Sequence, residues 1–437
     1  MTVRGEVMEI IPLEPGSARL EAMLHRANAP AIGPQVLEVA RRAFDSVRER
    51  GDRALVDYTA HYDGVALTPS DLIVTRDEIS AARDKIPGSL YNILTAAVDR
   101  VRAFNERLRP ASWQEEAAPG MLTGVQYTPL EGVGIYVPSG KGRFPSTCIM
   151  LVVPAQVAGV RNLSMVVPPR RDGLVDPALL AACDLLGVDR IYRCNGVAGI
   201  AALALGTETI TAMPAIVGPG NPYVVAAQIL AQLEGVRMLA HLGPTEAVVL
   251  ADAAADPRRV ALDLLNEAEH GTDSAAILVT DSAALAREVA TLLPELIDRL
   301  PEPRRGFAAA ALRGGGGIVL APSWDDALAF VSRYAPEHLQ LATRDPAHVA
   351  TKIQHAGEIL LGQQTPFSAG NYAIGVPAVL PTGGTAAVDS GITVLSFLKV
   401  TSVAGLDATG LAAVRPVVEA LGNYEGFPAH VMAVIER

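Results

Sequence analysis

Cysteine is scarce here: Cys148, Cys183 and Cys194 are the only three in 437 residues. So few and so irregularly spaced, they supply neither a disulfide framework nor a four-cysteine zinc site, and they read as small core residues of a protein from a reducing compartment. Long apolar runs are missing too. No stretch reaches the ~18 uninterrupted apolar residues of a membrane span, and Met1 to Gly16 mixes Arg4, Glu6, Glu9 and Glu14 into its apolar residues, unlike a secretory signal. A basic excess is also absent. The formal charge of −11 opposes general nucleic-acid binding, because neutralising phosphate needs a basic face. These absences predict a cytoplasmic protein that binds neither nucleic acid nor membrane.

What is present suits a globular α/β enzyme: 50% hydrophobic and 19% charged residues, on a chain longer than the roughly 250–300 residues at which one core stops growing. Helical periodicity covers 17–30, 35–60 (stripe Val36, Val39, Ala40, Phe44, Val47) and 89–108 (Ile93, Ala96, Val98, Val101, Phe104). From Gly134 four short β-rich runs alternate with helical ones, which predicts a parallel sheet covered on both faces. A second series of the same kind follows Gly243, with no fixed-period repeat. Gly314 to Gly317 lacks the helix start and lysine of a P-loop and reads as a mobile turn. The chain turns Gly- and Thr-rich beyond Gly383 before a helical tail over 409–437.

Four stretches far apart carry polar residues suited to one metal-assisted site: Glu267-Ala268-Glu269-His270, Ala335-Pro336-Glu337-His338, Gly370-Asn371-Tyr372-Ala373 and Glu425 to His430. Glu267 and His270 share one face of an expected helix and could grip a cation, though by spacing alone such a pair is more often a solvated surface pair. Carboxylate and imidazole are good donors to zinc-type cations. Asn371 and His430 would complete a tetradentate set. Glu337 and His338 adjoin an expected helix-to-strand junction, where the imidazole can shuttle protons near neutral pH while the carboxylate activates water; a satisfied loop histidine beside a surface glutamate is the plainer alternative. Asn221 reads as a helix N-cap, with Pro222 at the first helical position and free amides that favour anions. The loop from Pro138 to Ser146 follows a strand where ligands collect in parallel sheets. Its Lys141 and Arg143 could hold a phosphate, carboxylate or sulfonate, or simply be solvated.

In chain order, Gly134-Ile135-Tyr136-Val137-Pro138, Pro145-Ser146 with Pro154 to Val160, Gly218 to Asn221, Gly243-Pro244-Thr245-Glu246, Ala268-Glu269-His270, Ala335 to Leu339 and Leu380-Pro381-Thr382 resemble the histidinol dehydrogenase family over nearly the whole chain. The resemblance implies two successive NAD-dependent oxidations of an amino alcohol through an aldehyde to an acid, L-histidinol to L-histidine, with a zinc ion or similar divalent cation holding the substrate. It implies an α/β fold of two incomplete Rossmann-like domains with parallel sheets. The expected parts are an N-terminal helical arm over 1–30, a discontinuous first domain over 31–133 and 246–385, a second over 134–245, and a C-terminal helical tail over 386–437 that reaches the partner's site in a homodimer. By the same resemblance Glu337 activates water and His338 is the acid/base and touches substrate. Glu267, His270, Asn371 and His430 fall on metal positions, Thr245 and Glu425 on substrate contacts, and Tyr136, Ala198 and Asn221 on cofactor contacts.

The departures from the family pattern carry their own expectations. Glu267 stands where the family usually has Gln and Asn371 where it has Asp, an exchange that leaves the site charge unchanged. Thr245 replaces Ser, and Ala198 replaces Gln, which removes one hydrogen-bonding group from the cofactor side. Lys141 and Arg143 add two cations near the expected ligand mouth. Such changes suit a paralogue acting on another amino alcohol or on an anionic (sulfonate, phosphate or carboxylate) alcohol. A non-catalytic metal- or metabolite-binding homologue is the other alternative.

Overall fold

Near-continuous apolar runs become strands buried on both faces, and the amphipathic runs between them become the covering helices. The computed structural model describes residues 7–28 and 32–437; positions 1–6 and 29–31, including parts of the expected N-terminal arm, lie outside the described residues. The strands are β1 (Ile10–Pro12), β2 (Trp113–Ala118), β3 (Met121–Pro129), β4 (Gly132–Tyr136), β5 (Asn162–Val167), β6 (Ile191–Arg193), β7 (Ala215–Val217), β8 (Arg237–Met238), β9 (Glu246–Ala251), β10 (Ala275–Thr280), β11 (Gly317–Leu320), β12 (His338–Ala342), β13 (Glu358–Leu361) and β14 (Leu398–Leu406).

Six of them pair in parallel in the order β1-β11-β10-β9-β12-β13, and five in the order β6-β5-β4-β7-β8. The two expected parallel α/β units are thus both present. β9 and β10 are buried along their whole length. Side-chain caps start the helices that matter for the site. Asp256 accepts from the amides of Arg258 and Arg259, Asn195 from those of Val197 and Ala198, and Asn221 from those of Tyr223 and Val224, each cap stabilising its helix by ~1 kcal/mol.

Packing redraws the expected domain boundaries. The helix Pro34–Arg50 lies on Gly196–Leu205 and Pro222–Leu233, and Gly88–Leu108 lies on Pro145–Ala158. Residues 31–133, expected to join 246–385, therefore pack with 134–245. Their apolar faces decide this: Ala40, Phe44 and Val47 share a core with Val166 and Ile200, while Leu94, Val98 and Val101 share one with Ile135 and Leu151. On Gly88–Leu108, Ile93 and Phe104 are exposed and the buried stripe is Leu94, Val98, Val101 and Asn105. The helix expected over 35–60 breaks at Gly51, whose φ of 52° and ψ of −132° suit only glycine. The N-terminal segment is a layer of the six-stranded unit rather than an arm. β1 pairs with β11, and Leu20, Met23 and Leu24 of the helix Ala18–Asn28 pack with Val248, Leu250 and Ile277.

An antiparallel sheet, β14-β3-β2, is unannounced in the sequence because exposure along much of β2, β3 and β14 removes the apolar alternation. The helix Arg304–Gly314 is equally unannounced. The four-glycine run joins that helix to β11 as a tight turn, where a Cβ on Gly316 would lie 2.8 Å from the carbonyl oxygens of Ala276 and Leu312. At the C-terminus the helices Ala408–Tyr424 and Pro428–Ile435 pack on one another and the first of them touches β14 and β3, leaving Leu421, Tyr424, Phe427 and Met432 exposed. No helix among the described residues is long and apolar enough to cross a membrane.

Candidate active site

A cavity of about 630 Å³ lies between the two parallel units. Its walls come from the loops after β4, β5, β6 and β7 on one side and from residues just before or opening β9, β10 and β12 on the other. The carboxyl ends of one sheet thus face the amino ends of the other. Loops after β4 and β7 flank the point where the strand order reverses, the place where open parallel sheets bind ligands.

The turn from the helix Trp324–Tyr334 into β12 sets the Glu337-His338 pair. Ala335 takes a left-handed conformation (φ 50°, ψ 65°), the only positive-φ residue other than glycine among the described residues. His338 reaches the cavity wall although its side chain is only 4% exposed. Its Nε2 lies 3.6 Å from Oε1 of Glu337, whose other oxygen accepts from the amide of Glu246 at 2.9 Å. On the far side of the ring, Nδ1 lies 2.5 Å from Oε1 of Glu358, its lateral neighbour on β13. Burial works against a charged imidazole, but Glu337, Glu267 and Glu358 outweigh it and push His338 up to about 10. Burial pushes the Glu337 carboxyl up to about 8, with His338 pulling the other way. Because the two face each other they titrate as a pair.

Three of the four expected metal residues converge. Glu267 is fully buried near the end of the helix Pro257–Ala268, and its Oε2 has no hydrogen-bond partner among the described residues. That oxygen lies 3.5 Å from Nδ1 of His270, and Asn371 Nδ2 donates to Oε1 of Glu267 at 3.3 Å. His270 Nδ1 is also 3.2 Å from the carbonyl of Glu267; donation to that oxygen leaves Nε2 with its lone pair free for a cation. His270 and Asn371 both line the cavity. The orphaned carboxylate oxygen, the imidazole and an amide that can present its oxygen by rotating fit a divalent cation. The fourth residue, His430, is exposed on the terminal helix outside the cavity wall, and Glu425, at the end of the helix before it, is exposed and outside the wall as well. Tail and site do not meet within one chain.

The remaining expected residues divide. Thr245, Tyr136 and Asn221 line the cavity, and burial raises the Tyr136 phenol so that it stays a hydrogen-bond donor. Ala198 does not reach the cavity: it is buried in the core with Phe44 and Ile200, and Gly196 and Val197 form the wall in its place. Lys141 lines the mouth but is paired with Asp273. Arg143 points away, three-quarters exposed and 3.2 Å from Asp176, outside the wall. Glu358 escapes a reading by motif, although an acid opening a strand that continues Ile359-Leu360-Leu361 is itself a signal. Asp63, which accepts from Asn195 at 3.1 Å on the cavity wall, carries no such signal.

The histidinol dehydrogenase family model matches residues 28–437. A histidinol dehydrogenase from Synechocystis sp. is 42% identical over 405 residues, covering 92% of this chain and 93% of that protein. A histidinol dehydrogenase homolog from Colwellia psychrerythraea is 39% identical over 401 residues, covering 91% and 90%. The crystal structure of histidinol dehydrogenase from Elizabethkingia anophelis has a TM-score of 0.92 at 34% identity, over 99% of this chain and 98% of that one.

Proposed function

The chain belongs to the histidinol dehydrogenase family, a family of NAD-dependent oxidoreductases, and on that premise we propose that it oxidises a small amino alcohol, L-histidinol, through the aldehyde to the acid. The observation that carries this reading is His338, held between two buried carboxylates with Nε2 on the side of Glu337 at the cavity wall. In the first step Nε2 accepts the hydroxyl proton as the carbon-bound hydride leaves for the nicotinamide. In the second, Glu337 and His338 deprotonate the water that adds to the aldehyde, and the hydrate loses a second hydride. Atoms balance as one alcohol, one water and two NAD giving one carboxylate, two NADH and three protons.

Glu267, His270 and Asn371 would hold a zinc-type cation, completed by His430 of the partner subunit in a homodimer that exchanges its tails. Bound there, the cation would act as a Lewis acid that orients and polarises the substrate. Tyr136 and Asn221 would contact NAD on the opposite wall, while Thr245 would contact the substrate with Glu425 of the partner subunit. The exposed Leu421, Phe427 and Met432 supply an apolar reason for the tail to seek a second copy.

An amino alcohol is favoured over an anionic one because Lys141 and Arg143 are each engaged by an aspartate and the carboxylates of Glu267, Glu337 and Glu358 gather behind His270 and His338; Arg170 and Arg171, which also line the cavity, are the cations an anionic alcohol would meet. Following NADH at 340 nm while zinc-loaded protein is offered histidinol and a panel of sulfonate- and phosphate-bearing alcohols tests the reading. Turnover of the anionic alcohols alone would replace the substrate, and failure of the protein to bind NAD with metal present would favour the non-catalytic homologue.

A further inference from the structure

The three carboxylates nearest His338 do different things. Glu337, its neighbour along β12, sits on the Nε2 side. Glu267, from the helix Pro257–Ala268, acts on the ring only through its charge. Glu358 alone meets Nδ1, and the pairing is built into the backbone: β12 and β13 run parallel with His338 directly beside Glu358, so both side chains project from the same face of the sheet.

Two glycines make the contact possible. A Cβ on Gly357 would lie 2.5 Å from the carbonyl oxygen of Glu337, so only glycine lets β13 approach closely enough to place the next residue, Glu358, on the ring. Gly370 leaves room for the second carboxylate oxygen, since a Cβ there would come within 3.0 Å of Oε2. That oxygen is buried and has no hydrogen-bond partner among the described residues. Among the described residues the side-chain carboxylate therefore has one hydrogen-bonding partner, the histidine. The edge of the Phe367 ring, with centroids 5.8 Å apart and planes at 72°, closes the other side of the imidazole.

We propose that Glu358 is a positioning residue for His338, fixing the imidazole with its proton on Nδ1 and turning Nε2 to the cleft as the base. Without an acceptor at Nδ1 the neutral ring could place its proton on either nitrogen, and the Nε2–H form cannot accept the hydroxyl proton. When Nε2 takes that proton, the Nδ1–H group stays on the Glu358 carboxylate, whose charge stabilises the imidazolium. The kinetic consequence rests on the dehydrogenase reading above, whereas the tautomer rests on geometry alone.

The test therefore has two arms on the metal-loaded, full-length protein. In wild-type protein with 15N-labelled histidine, followed to the alkaline end of its titration because the ring is pushed up to about 10, the His338 ring, assigned by its loss in His338→Gln, is expected to carry its neutral-form proton on Nδ1; a neutral ring protonated on Nε2 would overturn the proposal whatever the enzyme turns over. In Glu358→Gln, zinc content and NAD affinity by calorimetry are expected to stay within about twofold while kcat falls about 10- to 100-fold. KM should move less than about threefold, and the acid limb of the kcat profile should shift to lower pH, with Glu358→Asp recovering part of the loss. An unchanged kcat and pH limb in a folded, zinc-replete Glu358→Gln would also overturn it. If wild-type protein oxidises no alcohol, the proposed function fails, and the tautomer arm still decides the role of Glu358.

Discussion

Lys141 and Asp273 bridge the mouth of the cleft, Nζ to Oδ1 at 2.5 Å, one residue coming from the loop after β4 and the other from the turn before β10. Arg304 reinforces the link by donating to the carbonyl oxygens of Lys141 and Glu269. The lysine is a strut between the two units, and a substrate anion would have to displace Asp273 to reach it.

Lys141→Ala combined with Arg143→Ala should therefore leave the KM for histidinol within about threefold (~0.7 kcal/mol) of wild type. Both members of the Lys141 pair are well exposed, at 46% and 39%, so the unfolding free energy should change by no more than ~1 kcal/mol. Steady-state kinetics and urea unfolding check both. A tenfold rise in KM confined to an anionic alcohol would return that class of substrate to first place.

The exchange of ligand types at Glu267 and Asn371 makes a second prediction. Glu267→Gln removes the only carboxylate among the three converging donors and should weaken zinc binding about 10- to 100-fold, comparable with the loss of a strong contact around a metal site. The double variant Glu267→Gln/Asn371→Asp restores one carboxylate and should recover most of that affinity. Zinc competition against a fluorescent chelator measures it. Equal affinities for the single variant and wild type would remove Glu267 from the metal site.

The parallel units and the capped helix starts were legible in the sequence because each depends on local pattern: buried runs such as Ala275–Thr280, and caps such as Asn221 before Pro222. Glu267, His270, Asn371, Glu337 and His338 were legible as isolated polar groups in apolar surroundings. Glu358 was not, because its meaning depends on the β12–β13 register, a pairing between segments 20 residues apart that no local period records. The grouping of 31–133 failed for a similar reason. Periodicity tells that Phe44 and Val98 face a core, but not which of two cores.

Stability should also depend on pH through the buried pair. Glu337 is raised from 4.5 to about 8 and His338 from 6.5 to about 10, so both hold protons more tightly folded than unfolded. Their contribution is present at low pH and lost as pH rises, over about 4.5 to 8 for Glu337 and about 6.5 to 10 for His338. The unfolding free energy of chelator-treated protein should therefore fall from about pH 6 to about pH 9, and fall less in Glu337→Gln/His338→Gln. Urea titrations across that window compare the slopes. A wild-type decline no steeper than that of the double variant would mean that the pair is not carried into the fold in these protonation states.

Tail exchange can be tested by complementation, because His338 lies in the body of the chain while His430 lies on the tail, outside its own chain's cavity. Homodimers of His338→Gln and of His430→Ala should each be nearly inactive. After co-refolding at equal amounts, about half of the dimers are mixed. If tails are exchanged, one of the two sites in a mixed dimer joins an intact body to an intact tail, so about a quarter of all sites should work. If each tail folded back on its own chain, every site in a mixed dimer would still carry one lesion and the mixture would stay inactive. NADH formation before and after co-refolding separates the two arrangements, whereas bound zinc should stay at about half of the sites throughout, because each intact tail completes one metal site however the chains are paired.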